Sequence, residues 1–221
     1  MNWENSKALT PIKGDFLKAF FEQCQSFFLT GGSALGVFYL EHRLSNDLDF
    51  FTTQRNIEWV PIEKLIQFVG HTIKAEIRSI QLTPYFRRYE LTRGHEREIV
   101  DLVVEETPQI DQEKNQFGPV VVDTLREIGV NKICTLLGRF EVKDLIDLYF
   151  LEKGGFDILT NLSLAEKKEG GLDPAVLSHL LSQYSSLEIP LYLQLKPLAP
   201  QDLSHFVDSL RRRFAEKAFP E

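Results

Sequence analysis

The sequence predicts an α+β chain: a short mixed sheet with helices, followed by a helical C-terminal lobe. Three observations carry this. Helix-like and strand-like apolar periodicities alternate up to about residue 118. Past Pro119 the alternation stops, and apolar residues recur three and four apart. Finally, 221 residues at 43% hydrophobic suit one domain or two small lobes. The division is expected near 118–123, giving lobes 1–120 and 121–221.

Within residues 1–28 an opening helix carries Phe16, Leu17, Phe20, Phe21 and Cys24 at helical spacing. Phe27-Phe28-Leu29 is a short apolar run leading into Gly31-Gly32, expected as a strand. A helix from Ser33 to about His42 presents Leu35, Phe38 and Tyr39. Arg43-Leu-Ser-Asn turns the chain, and Asp47-Leu-Asp-Phe-Phe-Thr is the next strand. A helix over 61–70 opens on Pro61. Strands follow at Ile73–Ile80, Tyr85–Thr92 and Arg97–Val104, the last two flanking an Arg-Gly-His-Glu turn as a hairpin does.

Thr124-Leu-Arg-Glu127 is a capping-box pattern for a helix bearing Leu125, Ile128, Ile133, Leu136 and Leu137, which stops at Gly138. A second helix from Glu141 to near Gly154-Gly155 places Asp144 and Asp147 on one face. Residues 161–188 and 199–218 read as further helices around a proline-punctuated connection at 190–200.

The net charge of −7 argues against wholesale nucleic-acid binding and leaves room for a local basic groove. Cys24 and Cys134 are too few for a disulfide framework or a zinc cluster, and are expected as reduced thiols in a cytoplasmic protein. The N-terminus lacks the apolar run of a signal peptide, and no stretch of about 18 apolar residues occurs. A membrane role is not expected.

The candidate chemistry centres on residues 29–51. A glycine-rich turn entering a helix offers backbone N–H groups to phosphate, which nominates Gly31, Gly32 and Ser33. Asp47 and Asp49, two apart on a strand, project from one face, and carboxylates that close call for a divalent cation. Phosphate at one end and metal at the other point to a nucleoside triphosphate. Asp101, among Ile99, Val100, Leu102 and Val103, is a third candidate ligand; the alternative is an edge-strand aspartate facing water. Arg43 reaches the phosphates or braces a carboxylate, the alternative being a surface salt bridge. Arg87-Arg88 with Tyr85, Tyr89, Arg93 and Arg97 make a basic, aromatic hairpin of a kind that suits an RNA end, although alternating strands often look like this. Arg211-Arg212-Arg213 reads as a solvated face. His71, His95, His179 and His205 are scattered with no metal-ligand spacing.

The run Thr30-Gly-Gly-Ser-Ala-Leu35, continued by His42-Arg43-Leu-Ser45-Asn-Asp47-Leu-Asp49-Phe-Phe, resembles the first motif of the AbiEii/AbiGii family of nucleotidyltransferase toxins, within the polymerase-β-like superfamily. Asn131-Lys132 through Arg139, then Lys143-Asp144-Leu-Ile-Asp147-Leu, resembles that family's second signature, with Lys143 where arginine is frequent. The resemblance spans roughly residues 28–155. It implies a nucleotidyltransferase core lobe whose cleft is completed by the helical lobe. By position it implies Asp47 and Asp49 as metal ligands, with Asp101 as a looser third. Gly31, Gly32 and Ser33 would lie on the phosphates, with Arg43 and Ser45 at the family's nucleotide-binding positions. Lys132 would contact the triphosphate, and Asp147 would be an essential carboxylate, either a base or a brace for Lys132 or Arg139. Asp144 is expected to be structural, paired with Arg139.

The function so implied is magnesium (Mg2+)-dependent transfer of a nucleoside monophosphate from a nucleoside triphosphate to an acceptor, with the tRNA 3′ end as candidate. The setting would be toxin–antitoxin or abortive infection, with a cognate antitoxin as partner. Two alternatives stand beside it: transfer to a small hydroxyl compound, as in aminoglycoside nucleotidyltransferases, and a catalytically silent binding module.

Overall fold

Burial alternates most cleanly over Asp47–Thr52 (β2), where Leu48, Phe50 and Thr52 are wholly buried and Asp47, Asp49 and Phe51 are not. One face of this strand joins an apolar core and the other carries carboxylates, as the two-residue strand period requires. In the computed structural model, which describes residues 2–138, 141–184 and 189–220, this strand belongs to the first of two compact units, 1–124 and 125–221.

The first unit contains six further strands: β1 (Phe28–Thr30), β3 (Glu76–Leu82), β4 (Phe86–Arg93), β5 (Glu96–Val104), β6 (Asn115–Phe117) and β7 (Val120–Val122). They form one mixed sheet in the order β3-β4-β5-β2-β1-β7-β6, with β2 parallel to β5 and antiparallel to β1. Helix α1 (Pro11–Phe21) starts with Thr10 accepting the Lys13 N–H and with proline at its first position, where no N–H is needed. Its Phe16, Phe20 and Phe21 pack around Phe50 of β2, with ring centroids 4.8–5.9 Å apart. Fully burying each such ring contributes about 1.5–3 kcal/mol. This aromatic plate backs the sheet, so the carboxylate face of β2 stands on a rigid support.

Several local expectations shift. The helix expected from Ser33 starts at Gly31, so both glycines lie inside its first turn: α2 (Gly31–Ala34) passes directly into a π-helical stretch, Leu35–Leu40. The wide turn closes when Glu41, in the left-handed region at φ 46°, donates its N–H to Gly36 C=O at 3.0 Å. Gly36 is obligatory there, since a Cβ would lie 2.7 Å from the Arg43 carbonyl oxygen. Helix α3 (Trp59–Thr72) begins before Pro61, which the first helical turn tolerates. The strand expected from Ile73 begins at Glu76, because Ile73 closes α3 and Lys74 reverses the chain at φ 57°. The hairpin β6–β7 turns at Gly118, φ 62°, and its Val120–Val122 strand lies parallel to β1 through Leu29 and Val122.

The second unit is helical: α4 (Leu125–Gly138), α5 (Val142–Lys153), α6 (Ile158–Lys168), α7 (Pro174–Ser182) and α8 (Pro200–Ala218). Ile133, Leu145, Leu148, Leu162, Leu177, Leu210 and Phe214 are among its buried residues. No helix among the described residues is long and apolar enough to cross a membrane.

Candidate active site

Strand pairing alone brings the sheet carboxylates together. In the parallel β2–β5 pair, Asp49 is in register with Asp101, and Asp47 with Ile99. Asp47, Asp49 and Asp101 each present a carboxylate oxygen, all within 4.8 Å of one another. At that distance each pair of unit charges repels by about 3.5 kcal/mol for an effective dielectric near 20. A hard divalent cation takes oxygen ligands of this kind, so the donor set fits magnesium.

The supporting contacts explain how this arrangement persists. Asp101 is only 4% exposed. Its Oδ1 accepts from Arg88 Nε at 2.8 Å and its Oδ2 from the terminal guanidinium nitrogen at 2.6 Å. That bond, with the nearby charges of Asp101, Asp47 and Asp49, holds the Arg88 guanidinium more firmly protonated than usual. Ser45 donates its hydroxyl to Asp47 Oδ1 at 2.9 Å, and Ser33 donates to the Asp47 carbonyl. Ser45 is itself fixed from behind: the buried Lys13 donates to its carbonyl and pairs with Glu98 at 3.1 Å.

The glycine turn sits hard against this group. Gly31 has φ 68°, and a Cβ there would fall 2.4 Å from Asp49 Oδ2. A Cβ on Gly32 would lie 2.7 Å from the Arg43 guanidinium and 2.9 Å from Ser45 Oγ. The two glycines thus let backbone N–H groups at a helix start approach the carboxylates, an arrangement suited to a phosphate next to a metal. Arg43 is 2% exposed and donates to the Leu44 carbonyl at 2.8 Å, with its guanidinium close against Gly32.

The expected basic hairpin divides. Arg87 stacks over Trp59 at 4.6 Å and pairs with Glu63, on the opposite face from Arg88. Tyr89 is buried; Arg93 pairs with Asp15 and Glu96, and Arg97 with Glu90. Each of these arginines therefore has a carboxylate partner. Asp123 is a buried carboxylate that sequence reasoning passed over. It accepts from Thr30 at 2.9 Å and from Lys114 at 2.7 Å, and its backbone N–H bonds Leu29, anchoring the end of β1. Its neighbour Tyr39, which donates to the Asp123 carbonyl, has its hydroxyl pushed up to about 12 by burial.

In the helical unit, Lys132 is held by two carboxylates, Asp144 Oδ1 and Asp147 Oδ2, both at 2.7 Å. All three side chains are essentially buried. The pairing expected between Asp144 and Arg139 concerns a residue outside the described set. Lys143 pairs with Glu141 at 2.8 Å. The thiols of Cys24 and Cys134 are free, and burial pushes Cys134 up to about 11.

The family model described as nucleotidyl transferase AbiEii toxin, type IV toxin–antitoxin system, matches residues 15–211. Among solved structures, the chain is similar to an H. pylori protein provisionally assigned as a nucleotidyltransferase, at 20% identity and TM-score 0.57, over 94% of this chain and 95% of that one. It is similar to JHP933 from Helicobacter pylori at 21% identity and TM-score 0.57, over 93% and 91%. It also resembles MenT4, a nucleotidyltransferase toxin from Mycobacterium tuberculosis, at 11% identity and TM-score 0.53, over 91% and 81%. Likeness at these identities establishes the fold. No curated protein sequence matches the chain.

Proposed function

The chain belongs to the AbiEii family of nucleotidyltransferase toxins, and from that premise we propose the reaction and its site. It transfers a nucleoside monophosphate from a nucleoside triphosphate to an RNA 3′ end, tRNA foremost, with magnesium held by Asp47, Asp49 and Asp101. The observation that carries this reading is the convergence of those three carboxylates within 4.8 Å beside the Gly31–Ser33 helix start. Magnesium bound there supplies charge stabilisation at the reacting phosphate.

The chain's own groups bind and orient. Backbone N–H groups of Gly32 and Ser33 face phosphate oxygens, and Ser45 fixes the direction of the Asp47 carboxylate. Arg43, whose guanidinium lies against Gly32, reaches the phosphates or braces a carboxylate. By the family signature, Lys132 and Asp147 serve the same reaction, with Asp144 as their brace. Positioning and electrostatics supply most of the rate in phosphoryl and nucleotidyl chemistry, so few further groups are needed. The protein acts in the cytoplasm as a toxin restrained by a cognate antitoxin.

A second reading, transfer to a small cationic hydroxyl compound, is favoured by the net charge of −7 and by the acid-paired arginines of the β4–β5 hairpin. Incubation with each α-labelled nucleoside triphosphate, magnesium and total RNA separates the two. Label in tRNA that is lost in Asp47→Ala supports the first. Unlabelled RNA together with labelled small hydroxyl compounds supports the second and ends the first.

A further inference from the structure

We propose that Arg88 is the resident counter-cation of the carboxylate cluster: it holds Asp101 in ligand position in the metal-free protein and competes with a divalent ion for that carboxylate. The proposal rests on the metal-site reading given above.

Asp101 lies within an apolar strand at 4% exposure, where an uncompensated charge is expensive. The antiparallel pairing of β4 with β5 sets Arg88 directly across from it. The planar guanidinium fork then takes both oxygens at once, at 2.8 and 2.6 Å. A carboxylate has about four lone-pair sites, and the fork uses the two that face it. An ion bridging Asp47, Asp49 and Asp101 must therefore share Asp101 with a fixed cation or displace that cation.

Arg88 is placed to yield. Its side chain is 40% exposed, and the Phe86 ring lies 5.4 Å from the guanidinium carbon. In the metal-free protein, Arg88 also offsets part of the mutual repulsion of three carboxylates whose oxygens lie within 4.8 Å. Its removal leaves more of that repulsion for the ion to relieve, so ion binding tightens as the empty site becomes less favourable.

The test is titration of the full chain with Mn2+ in the absence of nucleotide, reading free Mn2+ by electron paramagnetic resonance. Wild type, Arg88→Gln, Arg88→Lys and Asp47→Asn are compared. Arg88→Gln is expected to bind Mn2+ about fivefold more tightly, the scale of removing one part-exposed ion pair. Arg88→Lys, which keeps the charge without the fork, falls between, and carries the test if Arg88→Gln does not fold. The metal-free melting temperature of Arg88→Gln drops while its Mn2+-induced upward shift grows. A purely structural arginine predicts weaker binding on removal, so unchanged or weaker Mn2+ binding in both variants overturns the proposal while the metal site stands. If wild type shows no Mn2+ binding that Asp47→Asn removes, the metal-site reading fails, and the role of Arg88 fails with it.

Discussion

Replacing Gly31 by alanine probes the close approach of the glycine turn to the Asp49 carboxylate. At φ 68° an L side chain costs about 1–2 kcal/mol through its own backbone. The added Cβ would also stand 2.4 Å from Asp49 Oδ2, closer than real Cβ contacts come. Asp49 must leave its rotamer, at a further cost of about 0.5–1.5 kcal/mol. Gly94 is the matching control: φ is 60° and a Cβ there meets nothing within 4 Å. Gly94→Ala therefore carries the backbone cost alone. Urea unfolding should show Gly31→Ala losing about 1.5–3.5 kcal/mol against about 1–2 for Gly94→Ala. Nucleotide transfer should fall about 100-fold or more in Gly31→Ala, since displacing a ligand by about 1 Å has effects of that size. Gly94→Ala should retain wild-type transfer. Equal stability losses with undiminished transfer in Gly31→Ala would refute the reasoning.

Two further outcomes follow from the helical unit. Lys132→Met removes an ammonium gripped by two buried carboxylates, Asp144 and Asp147, and should destabilise that unit by about 3–5 kcal/mol in urea; a loss under about 1 kcal/mol would show that the ion pairs are not its support. Asp157 caps α6 by accepting the Thr160 N–H at 2.9 Å, and that bond holds its carboxyl below the usual range. Because the folded pKa is depressed, the cap's contribution is present above the unfolded value near 3.8 and is lost as the pH falls through the lower folded value. Asp157→Ala should cost about 1 kcal/mol at neutral pH, and melting curves of variant and wild type should converge as the pH falls through the lowered folded value; a gap constant with pH would argue against the cap.

Much of the site was legible because it depends on local period and a short spacing. Asp47 and Asp49 share a strand face by alternation, and the strand–turn–helix–strand order follows from residues 27–52 alone. The partner of Asp101 was also within reach. Gly94-His95 forms a two-residue turn with glycine in the left-handed region, and counting outward from Arg93 and Glu96 sets Arg88 opposite Asp101. What hid it was reading the hairpin's arginines as one basic patch, although Arg87 and Arg88 alternate across the sheet. The π-helical turn had no such signal: one extra residue in a turn is fixed by the approach of Gly36 to the Arg43 carbonyl, a contact between segments. The β6–β7 hairpin was obscured by the shortness of its strands. The grip of Asp147 on Lys132 stood among the expectations; that of Asp144 did not, because a shared helix face does not tell which residue of the preceding helix it meets.

The most direct test of the account is transfer from α-labelled nucleoside triphosphate to RNA by wild type, Asp47→Asn and Asp49→Asn, near-isosteric changes that keep the strand and remove ligand charge. Both variants should keep the wild-type circular dichroism spectrum, yet lose transfer by about 100- to 1000-fold, the scale of removing one fixed electrostatic contact. Transfer within about tenfold of wild type in either folded variant would contradict the assignment of these aspartates to the reaction.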